Sequence, residues 1–99
     1  IIAFTSQLAH VVSSAYVKSP QATFRKGFSA GSYKDMTRVA KLNDKMWTEL
    51  FLENSDYLAD EIDTLINNLQ QYRDALASGN SEDLSALLRE GKDAKKQVG

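Results

Sequence analysis

Seven apolar residues, Leu58, Ile62, Leu65, Ile66, Leu69, Tyr72 and Leu76, recur at three- and four-residue spacing, and this stripe most constrains what the chain can fold into. The spacing is that of one helix face, sustained for about five turns, and it excludes the strict alternation of a half-buried strand. A helix so apolar along one side needs a partner surface. The chain has 99 residues, one domain's worth, and a domain of that size buries only about 60–70% of the surface it exposes unfolded. Two arrangements remain open: a monomeric bundle, or a helical interface between two copies.

The rest of the sequence is also helical in pattern. Leu8, Val11, Val12, Ala15 and Tyr16 form one face of a first helix, running from about Ile2 to Tyr16 or Lys18. Ser19-Pro20 stops it, because proline cannot donate to the helical ladder and restricts the residue before it. Residues 19–30 read as a connection. Gly31-Ser32 opens a short helix with Tyr33, Met36, Val39 and Ala40 on its apolar side. Asn43 or Asp44 caps the next, which presents Met46, Trp47, Leu50 and Phe51. Ser55 and Asp56 can cap the long helix. Gly79-Asn80-Ser81 is a stop and restart, with Ser81 as the expected cap and Glu82 and Asp83 in the first turn. The last helix carries Leu84, Leu87 and Leu88, and past Gly91 it turns lysine-rich and is expected to fray or dock elsewhere. The expected fold is all-α with five or six helices.

Composition narrows the function. Twelve basic and 13 acidic residues give a net charge of −1, so no global field points to nucleic acid or an anionic membrane. There is no cysteine, which removes disulfides and thiolate metal sites and fits a reducing, cytoplasmic setting. No apolar run approaches the ~20 residues that span a bilayer. Ile1-Ile2-Ala3-Phe4 lacks the basic region of a signal peptide. Without an initiator methionine, it reads as the interior of a longer protein.

Four features could carry chemistry. His10, the single histidine, sits beside the apolar face of the first helix; it is either a structural hydrogen-bonder or a ligand contact, and without a second histidine it cannot form a histidine metal pair. Asp35 and Arg38 share a helix face with Gly31 one turn earlier. They form either a surface ion pair or a guanidinium fork held ready for a carboxylate, with Gly31 allowing close approach. Trp47, the single tryptophan, is core or the wall of a pocket that takes a ring. The Lys92–Lys96 tail reads as a solvated helix end. No glycine-rich dinucleotide fingerprint, phosphate loop or cysteine nucleophile is present, and nothing resembles a nucleophile elbow.

Three segments together resemble the C-terminal domain of prephenate dehydrogenases. They are Thr5-Ser6-Gln7-Leu8-Ala9-His10, Phe28-Ser29-Ala30-Gly31-Ser32-Tyr33-Lys34-Asp35-Met36-Thr37-Arg38-Val39-Ala40, and Met46-Trp47-Thr48-Glu49-Leu50-Phe51-Leu52-Glu53-Asn54. The likeness covers residues 4 to about 58, and the remainder agrees in pattern. It implies an interlocking helical dimerisation domain, cut from an N-terminal Rossmann domain that binds NAD or NADP and carries the catalytic histidine. This stretch would then hold no catalytic residue, cofactor site or metal, and would be inactive alone. The implied reaction is oxidative decarboxylation of prephenate to 4-hydroxyphenylpyruvate on the route to tyrosine, with tyrosine as a candidate inhibitor. Arg38 matches the substrate-binding arginine, and His10 the second histidine of the family's Ser-His-x-Pro-His motif. Gly31, Asp35 and Trp47 match the pocket rim. Gln7 stands where the first histidine is usual and Ala9 where proline is usual; Gln7 keeps hydrogen-bonding ability but cannot become cationic. The alternatives are the same domain acting on arogenate, and a helical interaction module with no ligand.

Overall fold

The computed structural model describes residues 6–19 and 43–99. Among them the regular structure is entirely helical: α1 (Leu8–Val17), α2 (Asp44–Glu53), α3 (Ser55–Ser78) and α4 (Ser81–Val98). The all-α expectation holds. The start of the first helix at Ile2, the connection beyond Ser19 and the short helix from Gly31-Ser32 lie outside the described residues, so the four helices here are a count over part of the chain.

The helix ends follow local chemistry. Ser6 and Gln7 lead into α1 through a π-type turn, and Gln7 is already helical at φ −67°, ψ −43°. Asn43 caps α2, its side-chain oxygen accepting from the Met46 amide at 3.1 Å, which satisfies one of the donors that every helix start leaves free. At the end of α3 the Asn80 amide donates to the Ala75 carbonyl at 3.0 Å, and the Gly79 amide to Leu76 at 3.2 Å. Gly79 turns left-handed at φ 67°. This pair of bonds is the Schellman arrangement, which favours glycine because a Cβ is strained at positive φ.

Two expectations are corrected. Asn80, not Ser81, caps α4: after the left-handed turn, Asn80 is extended at φ −84°, ψ 94°. Its carboxamide accepts from the Asp83 amide at 3.0 Å and donates to the Asp83 carboxylate at 2.9 Å. Ser81 becomes the first helical residue. Nor does α4 fray past Gly91; it stays helical to Val98. Lys92, Ala94, Lys95, Lys96 and Gln97 are good helix formers, and Lys95 and Lys96 lie in the last turn, where cations suit the helix dipole.

The chain divides into two compact units, Ile1–Ile62 and Asp63–Gly99. In the first, Leu8 and Leu58 are buried, together with the polar Gln7 and Ser13. In the second, the later part of α3 and α4 form a helical hairpin with Ala75 buried. Tyr72 reaches across, its hydroxyl donating to the Leu87 carbonyl at 3.1 Å. The crossing is close at Gly91, where an added Cβ would stand 3.5 Å from that hydroxyl. Ile66, Leu69 and Leu76 form the neighbouring face of α3 and stay 53%, 56% and 64% exposed. A two-helix hairpin gains little stability from its own propensity and relies on packing, and here three of the seven stripe residues stay exposed.

Candidate functional site: a histidine stacked on tryptophan

The site is built where α1 meets α2. His10 and Trp47 stack with ring centroids 4.2 Å apart and planes inclined by 26°. Phe51, one turn along α2, tilts against Trp47 at 5.6 Å and 46°. All three side chains are half-buried. The helical period places Trp47 and Phe51 on one side of α2, and α1 supplies the polar ring that completes the aromatic group.

The His10 ring is oriented by its own helix. Nδ1 lies 2.8 Å from the Ser6 carbonyl oxygen. A carbonyl can only accept, so Nδ1 carries the proton, and the neutral ring offers Nε2 as an acceptor. The π-type entry to α1 sits at this point.

Beneath the stack is a buried carboxamide. Gln7 donates from Nε2 to the Leu50 carbonyl at 3.2 Å, and its Oε1 accepts from Asn54 Nδ2 at 3.1 Å. The residue is 6% exposed. Ser13, one turn beyond His10, is 1% exposed, and its hydroxyl has no hydrogen-bond partner among the described residues.

Of the six residues singled out in the sequence, the structure therefore brings His10, Trp47 and Gln7 into one cluster. Arg38, Asp35 and Gly31 lie outside the described residues. Phe51 and Asn54 belong to the cluster as well and had no assigned role. Phe51 was legible as an apolar residue one turn after Trp47; the Asn54 contact spans 47 positions, and no local pattern signals it.

Such a cluster can do three things. The aromatic faces can flank a planar or cyclic ligand. His10 can bond a hydroxyl or an anion through Nε2. The buried amide below can hold both helices in register. Among the described residues no group of histidine, cysteine and carboxylates could hold a metal, and no helix is long and apolar enough to cross a membrane.

The chain is 32% identical over 102 residues to the cyclohexadienyl dehydrogenase of Zymomonas mobilis, an alignment covering 96% of this chain and 34% of that protein. It is 31% identical over 68 residues to the prephenate dehydrogenase of Bacillus subtilis, covering 69% of this chain and 18% of that protein. A third relative, the prephenate dehydrogenase of Lactococcus lactis, is 27% identical over 67 residues. The chain thus spans about a third or less of the length of these relatives. Residues 1–90 match the family described as "Prephenate dehydrogenase, dimerization domain", and the chain belongs to that family.

Proposed function

We propose that this chain is the dimerisation and substrate-closing domain of a cytoplasmic enzyme that oxidatively decarboxylates prephenate to 4-hydroxyphenylpyruvate. The observation that carries the reading is the family match over residues 1–90. The relative named a cyclohexadienyl dehydrogenase keeps arogenate, the aminated analogue, as a second substrate to compare.

The described residues do not fit the nicotinamide dinucleotide that such a reaction needs. They contain no strand leading into a glycine-rich turn, the arrangement that cradles a pyrophosphate. The one helix start that follows a left-handed glycine carries Glu82 and Asp83 in its first turn, which would repel that anion. By the family resemblance we assign NAD or NADP, and the catalytic histidine, to a separate N-terminal domain.

What the chain supplies is binding and orientation. Prephenate is a cyclohexadiene with two carboxylates, and its ring becomes aromatic as carbon dioxide leaves. Arg38 grips one carboxylate with its planar fork, Asp35 holds that fork in place, and Gly31 admits the ligand at the rim. Trp47 and Phe51 give the ring an aromatic wall, and His10 offers Nε2 to a polar group of the substrate. The support for His10 is its fixed Nδ1–H and its stack on Trp47. Tyrosine, a ring with a carboxylate, fits the same set of groups as an inhibitor. The exposed face of Ile66, Leu69 and Leu76 is the surface we assign to the twin subunit. Burying it in a homodimer would complete the thin core.

The test is kinetic. In the full-length enzyme, Arg38→Ala raises KM for prephenate by about one to two orders of magnitude, the scale of losing a charged contact worth about 1.5–3 kcal/mol. Unchanged kinetics would remove Arg38 from the site. Lack of turnover with both prephenate and arogenate by the wild-type enzyme would refute the reading as a whole.

A further inference from the structure

We propose that Gln7 is a positioning residue, a carboxamide strap that fixes the His10–Trp47 stack and thereby tunes substrate binding without touching substrate. The link to substrate rests on the reading above; the link to the stack does not.

The argument starts at the end of α2. In an unbroken helix the Leu50 carbonyl would accept from the Asn54 amide four residues on. Here the last turn tightens, and the Asn54 amide donates to Phe51 instead, at 3.1 Å. That frees the Leu50 carbonyl, one of the acceptors a helix end leaves without a partner. Gln7 fills the gap from another helix, donating to Leu50 at 3.2 Å. The same amide accepts from the side chain of Asn54, the residue that closes α2, at 3.1 Å. Gln7 thus caps α2 from the start of α1.

Spacing couples this cap to the stack. His10 is three residues after Gln7, and Leu50 three after Trp47, so each pair lies on one helix face one turn apart. The contacts form two successive rungs between the helices: the amide with Leu50 and Asn54, then the imidazole with Trp47. The rungs run in opposite chain directions on the two helices, so a slip at the first displaces the second. A ring stack at 4.2 Å tolerates little displacement, whereas a buried amide with both ends paired resists it. At 6% exposure, Gln7 has almost no surface to offer a ligand.

The experiment uses the full-length enzyme with Gln7→Met, which keeps the length of the side chain and removes both bonds. Gln7→Glu is the second variant; it keeps the acceptor for Asn54 and loses the donor to Leu50. The expected result for Gln7→Met is a rise in KM of about five- to tenfold with kcat within about twofold, the scale of coupling between neighbouring residues. In a His10→Ala background the same substitution should leave KM unchanged, because Gln7 acts through His10. Read as the difference from a Trp47→Phe control, the near-UV circular dichroism of Trp47 should change while the far-UV helical signal does not, and Gln7→Glu, which sets a carboxylate oxygen against the Leu50 carbonyl, should change it at least as much as Gln7→Met. An undiminished KM effect in the His10→Ala background would mean direct contact with substrate and would overturn the proposal. So would a loss confined to thermal stability, with KM and the Trp47 signal unmoved. If the wild-type enzyme turned over neither substrate, the functional reading would fail, and the Trp47 signal of the two variants would still decide the strap.

Discussion

Gly79→Ala should destabilise the protein, and Gly91→Ala should stabilise it, although both glycines belong to the same hairpin. Gly79 sits at φ 67°, and a Cβ added there meets nothing within 4 Å. The cost is therefore torsional rather than steric. A left-handed conformation costs an L-residue about 1–2 kcal/mol, and alanine recovers about 0.4–1 kcal/mol by restricting the unfolded chain. The net expected loss is centred on about 0.8 kcal/mol and reaches about 1.6 kcal/mol at most. Asparagine visits the left-handed region more readily, so Gly79→Asn should lose less than Gly79→Ala. Gly91 lies inside α4 without a positive φ, and its added Cβ would stand 3.5 Å from the Tyr72 hydroxyl, an ordinary contact. There alanine should gain about 0.5–1 kcal/mol. The assay is urea unfolding followed by far-UV circular dichroism, with all variants at one protein concentration because a dimer's stability depends on it. Equal stability of Gly79→Ala and wild type, or a loss for Gly91→Ala as large as that for Gly79→Ala, would refute the assignment of the turn.

Three further outcomes are expected. Ser13→Ala removes a buried hydroxyl with no partner among the described residues and adds helix propensity, so it should be neutral or raise stability by up to about 1 kcal/mol; a loss on thermal unfolding would show that the hydroxyl is bonded. Leu69→Lys places a charge on the exposed apolar face of α3 and should weaken self-association about tenfold or more in sedimentation, whereas an unchanged dimer would move the interface elsewhere. Asn80→Ala should cost about 1 kcal/mol through loss of the α4 cap, and Ser81→Ala should cost much less; the reverse order would restore Ser81 as the capping residue.

What was legible in the sequence was local. The stripe from Leu58 to Leu76 announced α3, Asn43-Asp44 the start of α2, and Gly79 the end of a helix, because each depends on residues within a turn or two. The sequence favours Ser81 as the cap, because the geometry that hands the task to Asn80 arises only after Gly79 turns left-handed. The lysine-rich end of α4 looked too polar to persist, yet propensity and the helix dipole carry it to Val98. The Gln7 contacts with Leu50 and Asn54 join residues more than 40 positions apart, and two amides so far separated have no pattern to read. Of the site residues drawn from the family resemblance, His10, Gln7 and Trp47 converge in space. Arg38, Asp35 and Gly31 lie outside the described residues and stand on the resemblance.

The contact between the sole histidine and the sole tryptophan also makes this domain its own optical probe. The emission of an indole reports its immediate contacts, and no second indole among these 99 residues contributes background. Any event that lifts the imidazole from the indole face becomes visible as a change in the domain's ultraviolet fluorescence without a dye or an engineered label.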